Sequence, residues 1–100
     1  MIVALGGANA IVGGNGNDTI CAGDGNDIVV GGNGDDTIFG ENGDDLLLGD
    51  NGADRLDGGA GDDRLVGGNG KDHMNGGANT DVCFGGQAKD TFANCETRFV

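Results

Sequence analysis

Gly13-Gly14-Asn15-Gly16-Asn17-Asp18-Thr19-Ile20-Cys21 is followed, 18 residues later, by Gly31-Gly32-Asn33-Gly34-Asp35-Asp36-Thr37-Ile38-Phe39. Both stretches spell one nine-residue unit: glycine, glycine, any, glycine, any, aspartate, any, hydrophobic, any. A short fixed period that puts a carboxylate and a hydrophobe at constant places describes a solenoid, whose stacked turns bring the carboxylates into a line. A line of that kind has to be neutralised.

Counted outward from these copies, units begin at Ala4, Gly13, Ala22, Gly31, Gly40, Gly49, Gly58, Gly67, Gly76 and Gly85, which makes ten with no linker between them. The sixth position reads Asn9, Asp18, Asp27, Asp36, Asp45, Asp54, Asp63, Asp72, Asp81, Asp90, and the eighth reads Ile11, Ile20, Val29, Ile38, Leu47, Leu56, Leu65, Met74, Cys83, Phe92. Three residues centred on the eighth position alternate outward, inward, outward, the period of a short β-strand. The six before them form a turn, where glycine or asparagine supplies the left-handed backbone. Two turns and two strands close a coil of 18 residues, so ten units make five coils, with alternate units stacked about 4.8 Å apart. The expected fold is an all-β solenoid forming one domain over residues 1–100, with repeats over 4–93 and a C-terminal cap over 94–100.

The composition says what this fold lacks. There are 24 glycines, four phenylalanines, and no Trp or Tyr, so the core is small and the entropy lost on ordering is large. A formal charge of −12, from 17 acidic and 5 basic residues, repels phosphate backbones and anionic lipid. Cations are the natural partners, and something outside the sequence must complete the fold. No apolar run is long enough to span a membrane. Met1 to Leu5 have neither the basic n-region nor the length of a signal peptide, so the start reads as the boundary of a piece.

The unit resembles the hemolysin-type calcium-binding repeat, also called the RTX repeat, over roughly Ala4 to Ala93. The resemblance implies a right-handed parallel β-roll with calcium held between the turns of adjacent coils. Each ion would take carbonyls from the first four positions and the aspartate at the sixth, from both turns. Carried onto this sequence, the ligands of one edge are Gly13, Asn15, Gly16 and Asp18, then Gly31, Asn33, Gly34 and Asp36, then Gly49, Asn51, Gly52 and Asp54, then Gly67, Asn69, Gly70 and Asp72, ending at Asp90. On the other edge they are Ala22, Asp24, Gly25 and Asp27, then Gly40, Asn42, Gly43 and Asp45, then Gly58, Ala60, Gly61 and Asp63, ending at Asp81. Glycine-rich turns would keep these carbonyls out of any ladder and aim them at the ion.

Four gaps on each edge give eight places for an ion. Five are complete, and the gap reaching Gly76 to Asp81 departs only in Asn79. Two are incomplete, one through Ala88 in the last unit and one through Leu5 and Asn9 in the first. Five to eight divalent ions would bracket the twelve negative charges. An EF-hand is excluded for Asp24-Gly25-Asn26-Asp27, which has no flanking helices and no Glu at the twelfth position.

Cys83 falls at an inward position and Cys95 just beyond the last unit, an arrangement that reads as a disulfide pinning the cap, against the alternative of a buried free thiol. Cys21 points outward with no partner left, which suggests a missing upstream partner or an intermolecular bond. This usage suits an oxidising, extracellular setting. His73, at an outward position, reads as solvated, and no catalytic set stands out, so no enzyme activity is expected.

Alternate units put Ile28, Val30, Leu46, Leu48, Val66, Val82 and Phe84 on one outer face, an expected interface for a second copy or a partner protein. The other face is mostly polar, and Arg55 and His73 interrupt the column begun by Thr19 and Thr37, against an ice-binding array. The sequence therefore describes a calcium-binding extracellular roll that folds on calcium and serves as a scaffold. The alternatives are a secretion and folding module of a larger secreted enzyme, or a self-assembling adhesion protein.

Overall fold

Inward-facing hydrophobes recur every nine residues, and the chain folds so that each pairs with the one a full coil away. The structure, a computed structural model, describes residues 1–4, 6–86 and 90–99. Its strands are β1 (Ile2–Val3), β2 (Ala10–Val12), β3 (Thr19–Cys21), β4 (Ile28–Asn33), β5 (Thr37–Phe39), β6 (Leu46–Asn51), β7 (Arg55–Asp57), β8 (Arg64–Val66), β9 (His73–Asn75), β10 (Val82–Phe84), β11 (Thr91–Ala93) and β12 (Thr97–Phe99). Odd strands form one parallel sheet and even strands the other, in the orders β1-β3-β5-β7-β9-β11 and β12-β10-β8-β6-β4-β2. The register is 18 residues, with Ile20 beside Ile38 and Val29 beside Leu47. This is the expected β-solenoid of about five turns.

The molecule is only 13 Å across its thinnest axis, so one layer of side chains separates the sheets. That layer is Ile20, Val29, Ile38, Leu47, Leu56, Leu65, Met74 and Cys83, each at most 2% exposed. Ile2, Ile11, Phe92 and Cys95 pack against it and are partly buried. A Cys83–Cys95 disulfide, 2.04 Å between sulfurs, ties the last buried position to the cap, and Cys21 is free and half-buried.

Three details differ from the sequence reading. β4 and β6 run six residues rather than three, because the turns pair with one another through Gly32 with Asp50 and Asn33 with Asn51. The periodic structure starts before Ala4, since Ile2 and Val3 pair with Ile20 and Cys21. The cap contains a strand, β12, which adds to β10 at an offset of 15 residues, Val82 facing Thr97. The turn leading to it is three residues shorter than the others. Leu5 and Ala88, which bear on the two incomplete gaps, lie outside the described residues.

Candidate metal centre

Each turn is a stack of close backbone approaches that glycine favours. A Cβ on Gly32 or Gly34 would run into the carbonyl oxygens of Gly14 and Gly16 one coil back, and both residues have left-handed φ, 94° and 111°. Where the sequence departs from glycine it keeps this backbone, at Glu41, Asp50 and Asn79.

The aspartates at the sixth position form two columns, one along each edge. On the first edge the N–H of Asp18 donates to Oδ1 of Asp36, Asp36 to Asp54, Asp54 to Asp72 and Asp72 to Asp90, each at 2.8 Å. On the second, Asn9 donates to Asp27, Asp27 to Asp45, Asp45 to Asp63 and Asp63 to Asp81, at 2.7–2.8 Å. One oxygen of every carboxylate after Asp18, which heads its column, is thereby fixed.

The other oxygen is not. Oδ2 of Asp18, Asp27, Asp36, Asp45, Asp54, Asp63, Asp72 and Asp81 is buried with no hydrogen-bond partner. A buried anionic oxygen without a donor carries a desolvation cost of several kcal/mol, by the general estimate for ions taken out of water. Burial accordingly raises the carboxyls of Asp36 and Asp81, and pushes Asp45, Asp54 and Asp63 up to about 7 and Asp72 to about 6. The N–H donated by the preceding coil opposes this, and neighbouring carboxylates add to it.

These orphaned oxygens share a definite environment. A Cβ built on Gly31 would stand 2.6 Å from Oδ2 of Asp36 and 3.0 Å from the carbonyl oxygen of Gly49 on the next coil. On Gly40 it would stand 2.7 Å from Asp45 Oδ2 and 2.8 Å from Gly58 O, and on Gly49, 2.5 Å from Asp54 Oδ2 and 2.7 Å from Gly67 O. The first glycine of the unit thus leaves a cradle where a carboxylate oxygen and a carbonyl oxygen from successive coils converge. The second edge begins differently, because Ala22 is fully buried at this first position.

No described position gathers three or more His, Cys, Asp or Glu side chains. A cation here would be held by paired carboxylates and backbone carbonyls, the all-oxygen donor set of a hard ion such as calcium. The orphaned oxygens and open cradles fit that ion.

The remaining sequence-derived ligands divide by atom. The side chains of Asn15, Asn33, Asn51 and Asn69 bond to one another along the outside of the first edge, and Asn42 donates to Asp24 on the second. These side chains are thereby drawn along the outer edge, which leaves the backbone carbonyls of the same residues for an ion. The expectation that turn carbonyls stay out of any ladder is corrected: Asn42, Asn51 and Asn69 accept from the N–H of Gly25, Gly34 and Gly52, and Gly14 from Asn33. The close stacking that glycine allows is what brings these groups within reach. A second lone pair on each oxygen is still available.

Three features escaped the sequence reading. Asn9, where an acid is missing, turns its amide onto the carbonyls of Gly6 and Gly7, at 3.2 Å each, so an N–H stands in for a cation. Fifth-position side chains form their own ladder, Asn17 accepting from the N–H of Asp35 and Asp35 from Ala53, with Asn26, Asp44 and Asp62 doing the same on the other edge. Glu96 accepts from the N–H of Asp81 at 2.8 Å. The run of Asn17, Asn26, Asp35 and Asp44 at the fifth position was a legible signal for the ladder; nothing in the spacing marked Glu96.

The sequence matches the family model of the RTX calcium-binding nonapeptide repeat in four copies, over residues 1–29, 22–56 and 57–92. The chain belongs to that family. No curated protein and no solved structure matches it. In this RTX roll the sixth-position aspartates and first-position glycines recur with the nine-residue period.

Proposed function

We propose that the chain is an extracellular calcium-binding module that folds on calcium and then serves as a rigid scaffold. The observation carrying this is the set of eight buried carboxylate oxygens without partners among the described residues, all but that of Asp27 beside an open first-position glycine cradle. Bound calcium would supply the positive charge these oxygens lack. The chain's own contribution is positional: the N–H of one coil orients each carboxylate after Asp18, glycine keeps the cradle open, and the hydrophobic layer sets the coil spacing. Without the ion, stacked carboxylates about 4.8 Å apart repel across a thin core. Affinities in the range of extracellular modules, roughly 10⁻⁴–10⁻³ M per site, are expected, sharpened by coupling between neighbouring coils. Circular dichroism with calcium and with a chelator tests this; a native β signal that persists without calcium at low ionic strength would refute folding on calcium.

A second reading, an interaction role, is favoured by the even-stranded sheet. Its outer face carries Ile28, Val30, Leu46, Leu48, Val66, Val82 and Phe84, with Ile28 50% and Phe84 38% exposed and the rest half-buried. Among the described residues Arg64 interrupts the apolar rows and Thr97 ends one of them, so a second copy of the same face is the occupant the reading names.

A further inference from the structure

The cap carries the pattern of a metal turn although its sequence does not. Asp81 donates its N–H to Oε1 of Glu96 at 2.8 Å, the contact that Asp63 makes to Asp81 one coil earlier at the same distance. Oδ2 of Asp81 is buried without a partner, and Asp81 itself is 0% exposed. A Cβ built on Gly76 would stand 2.7 Å from that oxygen and would also meet the carbonyl oxygen of Asn94, which takes the place that Gly76 O takes for Gly58. Thr97 then donates to Asp81 O at 3.1 Å, as Val82 donates to Asp63 O at 2.9 Å.

The first edge ends otherwise. A Cβ on Gly85 would meet Oδ2 of Asp90 and, at 2.9 Å, the ring of Phe92, with no carbonyl from a further coil among its nearest atoms. Glutamate suits the second edge for a geometric reason: the cap turn is three residues shorter, and the longer side chain delivers its carboxylate to the register an aspartate would have filled.

Resting on the calcium-binding reading above, we infer that Asp81, Glu96 and the Asn94 carbonyl form a terminal calcium site between the last turn of the second edge and the cap. The disulfide from Cys83 to Cys95 holds the backbone between two of these residues against the roll. An ion there would clamp β12 onto β10.

The test compares ions bound per chain, by equilibrium dialysis at saturating calcium, for the unaltered protein, Glu96→Gln and Asp57→Asn. Glutamine keeps the acceptor for Asp81 N–H and removes the charge, and Asp57, in strand β7 outside the metal turns, controls for charge alone, since asparagine keeps the acceptor for the N–H of Gly59. The expected result is one ion fewer for Glu96→Gln and no change for Asp57→Asn. An unchanged count for Glu96→Gln overturns the site. If the unaltered protein binds no calcium, the calcium-binding reading itself has failed, which that arm alone reveals. Should Glu96→Gln fail to fold, hydrogen exchange in the unaltered chain decides: calcium should slow the Thr97 amide as it slows Val82, and a Thr97 amide indifferent to calcium overturns the proposal.

Discussion

Asp54 is joined to both of its neighbours in the column: its Oδ1 accepts the N–H of Asp36, and its own N–H donates to Asp72. Asp90 is joined only backwards, accepting from Asp72. Replacing Asp54 by Ala removes an acceptor from a buried N–H, a cost of about 1–3 kcal/mol, and removes a carboxylate shared by two gaps. The calcium midpoint for folding should rise several-fold for Asp54→Ala and less for Asp90→Ala. Equal midpoints in a titration followed by circular dichroism would contradict the ordering.

The pH response should change sign with calcium. Buried carboxyls raised from 3.8 to about 6–7 bind protons more tightly folded than unfolded. Their contribution to stability is fully present below the unfolded value near 3.8 and is lost as pH rises through about 7. In calcium-free buffer, structure should therefore be greatest near pH 4 and decline toward neutrality. With calcium, which binds the ionised form, it should increase over the same interval. Urea midpoints at pH 4.5 and 7.5, measured with and without calcium, would expose a wrong sign.

Filling a cradle should weaken the site beside it. Gly49→Ala would place a methyl 2.5 Å from Asp54 Oδ2 and 2.7 Å from Gly67 O. A cost of about 1–3 kcal/mol is expected from overpacking, together with a higher calcium midpoint. The converse change, Ala22→Gly, should lower the midpoint. An Ala22→Gly protein that needs more calcium than the unaltered chain would count against the cradle.

Reduction of the Cys83–Cys95 disulfide should lower stability by about 2–4 kcal/mol, the typical effect of releasing such a crosslink. Loss should begin in β11 and β12, which hydrogen exchange of the reduced and oxidised forms would resolve. Uniform loss along the roll would mean that the cap controls the whole structure.

For the apolar face, Leu46→Lys with Leu48→Lys should yield a monomer that still binds calcium, because both residues project from β6 away from the turns. Sedimentation that finds the unaltered chain already monomeric at high concentration would dispose of self-pairing.

Both sheets and their register were legible because a hydrophobe at every ninth residue fixes which side chains face inward, and a coil of two units then admits one pairing, Ile20 beside Ile38. Asp18 to Asp81 were legible by the same period. The cap's disulfide from Cys83 to Cys95 was legible, but its strand was not, since its turn is shortened by three residues and its carboxylate moves from aspartate to Glu96, which breaks the count on which the reading depended. Nor was the role of Asn9, whose missing charge could be read but whose folding back onto Gly6 and Gly7 depends on turn geometry. The turn-on-turn pairing of β4 and β6 was hidden because glycine codes for close approach without saying what approaches.

All the N–H to carboxylate bonds of the two columns point the same way, from each coil to the one that follows it in the chain. A coil therefore has its donors answered only after its successor has been made. During synthesis, which proceeds from the N-terminus, the growing roll always ends in an unfinished coil, and each new turn finishes the previous one while opening the same need in itself. Glu96 closes that sequence on one edge and Asp90 on the other, so the first edge waits for residue 90 to be made and the second for residue 96.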